Sequence, residues 1–216
     1  IKSKKDSKKI KNIKNIKIFY GNVSDKNLID KIFAKSIKDN RLISGVVNNA
    51  GIRQRLKFGK IDKKKLHNIF EINFFSIFYI MQAFSNYLIK IKKTGSIVNI
   101  GSIVGKNGFS QLVGYASTKS ALEGLTRSFA IEMASKKIRA NVINPGFVKT
   151  SYYKKFRKKK KLYNWTLSRT SMKRWGEPLE ISSVINYLLS DKSEYITGEC
   201  INVDGGWISP WKKIMC

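Results

Sequence analysis

The chain has 216 residues, of which 42% are hydrophobic and 12% aromatic, so it fits a single globular domain without long disordered segments. Two cysteines and one histidine, His67, exclude a disulfide framework and a Cys/His zinc site, and no metal is expected. A Ser-His-Asp hydrolase would depend entirely on His67, and no Gly-x-Ser-x-Gly turn accompanies it.

The formal net charge is +29 at pH 7, from 43 Lys and Arg against 14 Asp and Glu. One interpretation is a protein that binds nucleic acid or an anionic membrane surface. The other is a compositional bias toward Lys, Ile and Asn. The second is favoured because only eight of the basic residues are arginines, which specific phosphate and base recognition prefers. The lysine runs at 2–17 and 154–161 are therefore expected to be solvated or mobile, with no specific nucleic-acid partner.

The first residues are rich in lysine and lack an apolar core, so no secretory signal peptide is expected there. We therefore expect a cytoplasmic protein. Residues 69–91 are the one candidate membrane span, but Glu71, Asn73 and Gln82 interrupt it. We therefore expect a helix buried on more than one face, with a subunit contact as one explanation, and no membrane partner.

The predicted elements alternate between strands and helices along the chain. Asp25 and Asp62 are typical helix N-caps. Residues 152–174 form a basic, irregular stretch and are a candidate substrate loop. Short Val- and Ile-rich strands separated by helices predict an α/β fold, a doubly wound parallel sheet with helices on both faces. The predicted strands are 16–20, 44–49, 95–102, 139–144 and 199–203, and the predicted helices are 26–37, 63–91, 114–135 and 178–189.

In such sheets, ligands bind beyond the carboxyl ends of the strands. This places residues 48–51, Ser102 and residues 145–150 along one edge. Tyr115 and Lys119 are four residues apart on a predicted helix, so they share a face. An ammonium beside a phenol favours the phenolate, which makes Tyr115 a candidate proton donor or acceptor near neutral pH. Alone, such a pair is common on helices and carries little weight.

The wider set of motifs changes that weight. In their order and spacing they resemble the short-chain dehydrogenase/reductase family over roughly residues 16–206, and are most similar to its 3-oxoacyl-acyl-carrier-protein reductase-like members. The motifs are Asn48-Asn49-Ala50-Gly51, Asn73, Ser102, Tyr115-Ala-Ser-Thr-Lys119, Pro145-Gly-Phe-Val-Lys-Thr150, Tyr195-Ile-Thr-Gly198 and Asn202-Val-Asp-Gly-Gly206.

The resemblance implies a Rossmann-type fold. It also implies hydride transfer between a nicotinamide cofactor and a carbonyl or alcohol substrate such as a 3-oxoacyl thioester. The cofactor would be NADP or NAD, with NADP slightly preferred. It implies that Tyr115 is the general acid/base, that Lys119 lowers its pKa and holds the nicotinamide ribose, and that Ser102 orients the substrate oxygen. Asn73 would distort its helix and hold a proton-relay water. The implied cofactor-binding residues are Asn22, Val23, Asn49, Ala50, Gly51, Tyr115, Lys119, Pro145, Gly146, Val148 and Thr150.

Two features depart from the family pattern. Asn22 replaces the usual acid that contacts the adenine amino group, although its amide oxygen can still accept that hydrogen bond. The glycine-rich turn that cradles the pyrophosphate is absent, and residues 16–20 match the family's third strand. We therefore expect residues 1–216 to form one domain that lacks its first βαβ unit.

Two alternatives stay open at this point. The chain is a basic nucleic-acid-binding protein, or it is a scaffold that keeps the fold without binding the cofactor. The resemblance also implies a homotetramer that pairs through the two long helices, 63–91 and 114–135.

Overall fold

The computed structural model describes residues 16–209. Its elements follow the predicted alternation of strands and helices. Helices are α1 (Lys26–Lys38), α2 (Lys63–Lys90), α3 (Ile103–Lys106), α4 (Val113–Met133), α5 (Tyr153–Arg157), α6 (Lys160–Arg169) and α7 (Pro178–Leu189); strands are β1 (Gly45–Asn48), β2 (Gly95–Ile100), β3 (Ile138–Pro145) and β4 (Cys200–Val203).

The four strands form one parallel sheet in the order β1-β2-β3-β4. Its central residues are buried on both faces: Ile97 and Val98 of β2 are fully inaccessible to solvent. Helices α2 and α4 contribute to the core that contains Ile97, and α7 packs in the core that contains Val98. The predicted parallel α/β fold is therefore confirmed. The continuous Val and Ile runs predict it because a strand covered on both faces needs apolar side chains on both.

The predicted strand at residues 16–20 is wrong, since these residues form no strand in the described structure. A strand exists only when its backbone groups pair with a neighbour. Within residues 16–209, β1 pairs with β2 alone, and residues 16–20 do not pair with its other edge.

Both predicted N-caps are present. The carboxylate of Asp25 accepts a hydrogen bond from the backbone N–H of Leu28 at 3.2 Å, and that of Asp62 accepts one from Lys65 at 2.8 Å. These bonds satisfy backbone donors that the first turn of each helix leaves unpaired.

Helix α2 is long and apolar enough to cross a bilayer by length and composition alone. Part of its apolar surface, however, is buried in the protein core, as Ile77, Phe84 and Leu88 illustrate. The helix changes to π-helical geometry over Glu71–Phe75, around the fully buried Asn73. A distortion therefore lies where the family resemblance implies one.

The stretch 152–174 is not irregular as predicted, because it contains α5 and α6. The lysines of the 154–161 run are exposed, while Phe156 between them is buried. Buried aromatic contacts thus order a segment whose charge pattern alone predicts mobility. Phe156 lies 4.9 Å from Trp175 between ring centroids, and Tyr163 lies 5.7 Å from it.

Candidate active site

A cavity of about 590 Å³ lies at the carboxyl ends of β2 and β3. It receives predicted site residues from distant parts of the chain, together with aromatic side chains of segment 152–174. The predicted site residues that line it are Gly51, Ser102, Tyr115, Pro145, Gly146, Val148 and Thr150.

Ser102 is held at the end of β2 by hydrogen bonds on both its backbone and its side chain. Its N–H donates to Asn144 Oδ1 at 2.9 Å, and its Oγ accepts from the N–H of Val104 at 3.1 Å as the N-cap of α3. Asn144 Nδ2 in turn donates to Glu123 Oε1 at 2.7 Å. A chain of contacts therefore runs from Glu123 on α4 through β3 to Ser102.

The backbone before Ser102 leaves no room for a side chain. A Cβ atom at Gly101 would lie 2.0 Å from Asn144 Oδ1 and 2.7 Å from Val142 Cγ1. Gly101 is therefore required by close packing, and this packing fixes where Ser102 stands.

Tyr115 and Lys119 lie one turn apart on α4, as the spacing predicts. Lys119 Nζ is 5.8 Å from the centroid of the Tyr115 ring and donates to the carbonyl oxygen of Ile100 at 2.6 Å. Lys119 is almost fully buried. Among the described residues, the one hydrogen-bond acceptor of its ammonium is the backbone carbonyl of Ile100, at the end of β2.

Burial dominates the electrostatics of this pair. It raises the pKa of Tyr115, while the Ser102 side chain and the charge of Arg53 act in the opposite direction. Burial also lowers the pKa of Lys119 to about 8. Tyr115 therefore holds its proton at neutral pH, and its pKa moves opposite to the lowering by Lys119 that the resemblance implies. Of these two groups, Lys119 has the pKa nearer to neutrality.

Asn73 binds the loop after β1. Its Oδ1 accepts from the N–H of Ile52 at 2.8 Å, and its Nδ2 donates to the carbonyl of Ile52 at 2.9 Å and to Thr118 Oγ1 at 3.2 Å. The buried amide thus joins α2, α4 and the loop that carries Gly51. In this arrangement Asn73 positions the loop.

Five of the predicted cofactor-binding residues do not line the cavity: Lys119, described above, and Asn22, Val23, Asn49 and Ala50. Asn49 and Ala50 are exposed beside Gly51 at the end of β1. Asn22 and Val23 precede α1, and Asn22 Oδ1 accepts from the N–H of Ser24 at 3.1 Å. The amide oxygen of Asn22 is therefore already engaged in a local turn.

Two arginines line the cavity although neither belongs to the predicted set. Arg53 and Arg55 follow Gly51 in the loop after β1. The guanidinium carbon of Arg53 lies 4.9 Å from the centroid of the Tyr152 ring. Their position directly after a strand end is the sequence signal that could have found them. His67 lies outside the cavity, with Nε2 3.9 Å from a carboxylate oxygen of Glu71.

Comparison with known proteins agrees with this geometry. The model of a family described as enoyl-(acyl carrier protein) reductase matches residues 2–208. The 3-oxoacyl-acyl-carrier-protein reductase FabG of Thermotoga maritima is 34% identical over 187 residues, which are 87% of this chain and 75% of that protein.

Two solved structures have the same fold. A 4-hydroxyisoleucine dehydrogenase complexed with NADH superimposes with a TM-score of 0.87 at 28% identity, covering 93% of this chain and 83% of that one. A gluconate 5-dehydrogenase from Burkholderia cenocepacia in complex with NADP and tartrate gives 0.82 at 26% identity, covering 88% and 74%.

The parallel sheet and the Ser-Tyr-Lys group at its carboxyl edge define a Rossmann-type α/β oxidoreductase. The chain belongs to the short-chain dehydrogenase/reductase family, whose members are NAD(P)-dependent and act on carbonyl and alcohol groups. These matches do not favour the nucleic-acid-binding alternative.

Proposed function

We propose that Tyr115 exchanges the proton while a hydride passes between a nicotinamide cofactor and a ketone or secondary alcohol. The observation that carries this proposal is that Tyr115 and Ser102 line one cavity, with the ammonium of Lys119 one helical turn away. No other cluster of acid/base side chains lines that cavity within residues 16–209.

The residues present fit the nicotinamide half of the cofactor. Gly51, Gly101 and Gly146 line the sheet side of the cavity without side chains, at the ends of three parallel strands. Tyr115, Lys119 and residues 145–150 would hold this half. Asn22, Val23, Asn49 and Ala50 would lie toward the adenosine. NADP is preferred over NAD by similarity to the 3-oxoacyl reductases, and solved relatives hold NADH or NADP.

The bound nicotinamide supplies or accepts the hydride. In the reduction direction, Ser102 Oγ donates a hydrogen bond to the substrate oxygen and Tyr115 donates its proton to the same atom. The positive charge of Lys119 favours the phenolate that remains. In the oxidation direction, the phenolate accepts the proton of the alcohol. Because burial raises the pKa of Tyr115, reduction begins from the protonated form that the resting protein already holds.

We propose segment 152–174 as the substrate loop, since Tyr152, Phe156 and Trp165 line the cavity opposite the sheet. A 3-oxoacyl thioester and a hydroxy or keto acid are the two substrate classes that the names of the relatives support. We also propose a homotetramer, because α2 and α4 expose apolar side chains, including Phe78, Ile89 and Ile131. Light scattering on the purified chain measures the mass of the oligomer directly.

Tyr115→Phe tests the proton-transfer role. The ring keeps its shape and loses only the hydroxyl, so kcat should fall by about 10²–10⁴-fold while cofactor affinity changes little. Absorbance of the reduced nicotinamide follows the first quantity, and calorimetric titration of the cofactor follows the second.

Tyr79→Phe is the matched control, because it removes a phenol hydroxyl from α2 outside the cavity. If Tyr115→Phe kept most of its kcat, the assignment of Tyr115 would be wrong.

A further inference from the structure

The charged side chains that line the cavity are of one kind only. They are Arg53 and Arg55, and among residues 16–209 the lining includes no Asp, Glu, Lys or His. Lysine is by far the commoner basic residue of this chain, with only eight arginines among 43 basic side chains. A general excess of positive charge would therefore have supplied lysines. The cavity instead holds two guanidinium groups, whose planar donors match a carboxylate.

Arg53 is positioned to use those donors. Its guanidinium packs near the face of Tyr152, at 4.9 Å from the ring centroid. Contact with a ring face leaves the N–H groups at the edge of the guanidinium available for hydrogen bonds. Neither Arg53 nor Arg55 forms an ion pair with an acidic residue in the part of the chain that the structure describes.

Arg53 lines the same cavity as the reacting group, Tyr115. The charge of Arg53 acts on the phenol of Tyr115, so the two side chains share one electrostatic environment. The remaining walls include the aromatic side chains of Phe109, Phe156 and Trp175, so apolar surface lies beside the two guanidinium groups.

We infer that the substrate carries its own carboxylate, which Arg53 binds with Arg55 beside it while the reacting carbon lies at Ser102 and Tyr115. This inference rests on the proposed function and narrows its substrate to a small hydroxy or keto acid. An uncharged 3-oxoacyl chain would make no charge-assisted hydrogen bond with either of these exposed arginines.

Binding gives a test that does not depend on turnover. D-Gluconate and D-glucitol differ only in a carboxylate against a hydroxymethyl group, and each can be titrated calorimetrically into the full chain in the presence of NADPH, with which neither ligand reacts. We expect gluconate to bind at least 10-fold more tightly than glucitol. Arg53→Gln should remove roughly 10-fold or more of the gluconate affinity, as expected for charge-assisted hydrogen bonds.

Arg41→Gln is the matched control, since Arg41 is exposed in the loop after α1 and does not line the cavity. Equal affinities of the unmodified chain for the two ligands would overturn the inference. An equal loss of gluconate affinity in Arg41→Gln and Arg53→Gln would also overturn the inference, because it would mean that gluconate binding depends only on the net charge of the chain.

A turnover measurement separates this inference from the proposed function. The ratio of kcat/KM for gluconate to that for glucitol should fall in Arg53→Gln. Turnover that is indifferent to the carboxylate would overturn the anion site and leave hydride transfer intact. Arg53-dependent binding of gluconate without any hydride transfer, to it or to a panel of keto acids, would overturn the proposed function and leave the anion site.

Discussion

Two sides of one cavity are held in place by different forces. On the sheet side, Ser102 and Lys119 are joined to neighbouring elements by buried hydrogen bonds through Asn144 and the carbonyl of Ile100. On the opposite side, α5 and α6 are held by aromatic packing around Trp175, and their lysines are exposed.

The difference separates chemistry from recognition. Proton transfer requires reacting groups placed to within a fraction of an ångström, and short buried hydrogen bonds supply that precision. Aromatic contacts are less directional, so they allow the substrate side to vary without disturbing Ser102 and Tyr115. Substitutions on the sheet side should therefore lower kcat, whereas those around Trp175 should raise KM.

Among the tests of this separation between the two sides, the largest effect is expected from Gly101→Ala. The new Cβ would lie 2.0 Å from Asn144 Oδ1, so the backbone must move and carry Ser102 with it. We expect kcat to fall by roughly 100-fold and the free energy of unfolding by about 1–3 kcal/mol. Steady-state kinetics and denaturant unfolding measure the two losses.

Gly108→Ala serves as the control. It lies between Ser102 and Tyr115 in the chain, yet a Cβ there meets nothing within 4 Å. Equal losses in the two variants would mean that the Gly101–Asn144 contact does not position Ser102.

Lys119→Met should change how stability depends on pH. Burial lowers the pKa of Lys119 from 10.5 in the unfolded chain to about 8 in the folded one. Between these values the unfolded state binds more protons, so stability rises with pH. The unmodified chain should gain about 2 kcal/mol from this group between roughly pH 7.5 and 9.5. Lys119→Met should lack that gain in the free energy of unfolding, which denaturant unfolding at the two pH values measures.

Lys63→Met removes the same charge from an exposed position at the start of α2 and should keep the gain. Parallel pH curves for the unmodified chain and Lys119→Met would show that burial of this ammonium is not the cause.

The smallest effect is expected from Trp175→Phe. The substitution removes the hydrogen bond from Trp175 Nε1 to Thr166 Oγ1 at 2.7 Å and loosens the packing of α6. A loss of about 1 kcal/mol in the free energy of substrate binding predicts a roughly fivefold rise in KM with kcat nearly unchanged. Lys154→Ala, an exposed lysine of α5, should leave both constants as they are. A selective fall in kcat for Trp175→Phe would contradict the separation of the two sides.

Much of the fold follows from local pattern. The Val and Ile runs of β2 and β3 and the caps at Asp25 and Asp62 can be located from sequence, because period and capping chemistry are local properties. Residues 16–20 show where local pattern fails. Their apolar character favours a strand, but a strand also needs a neighbour that no local pattern supplies.

The site divides in the same way. The spacing of Tyr115 and Lys119 predicts a shared helix face, and the order of the motifs predicts that Ser102 lies near them. The contacts of Arg53 with Tyr152 and of Asn144 with Ser102 are not predictable from spacing, because they join residues far apart in the chain.

The sequence by itself therefore determined the α/β alternation, the family and the residue types that can exchange a proton. Only the tertiary structure decided which way their pKa values move, that Asn73 binds the backbone of Ile52, and that segment 152–174 folds into helices. Each of these depends on burial and on contacts between distant segments, and burial is a property of the folded chain rather than of any stretch of it.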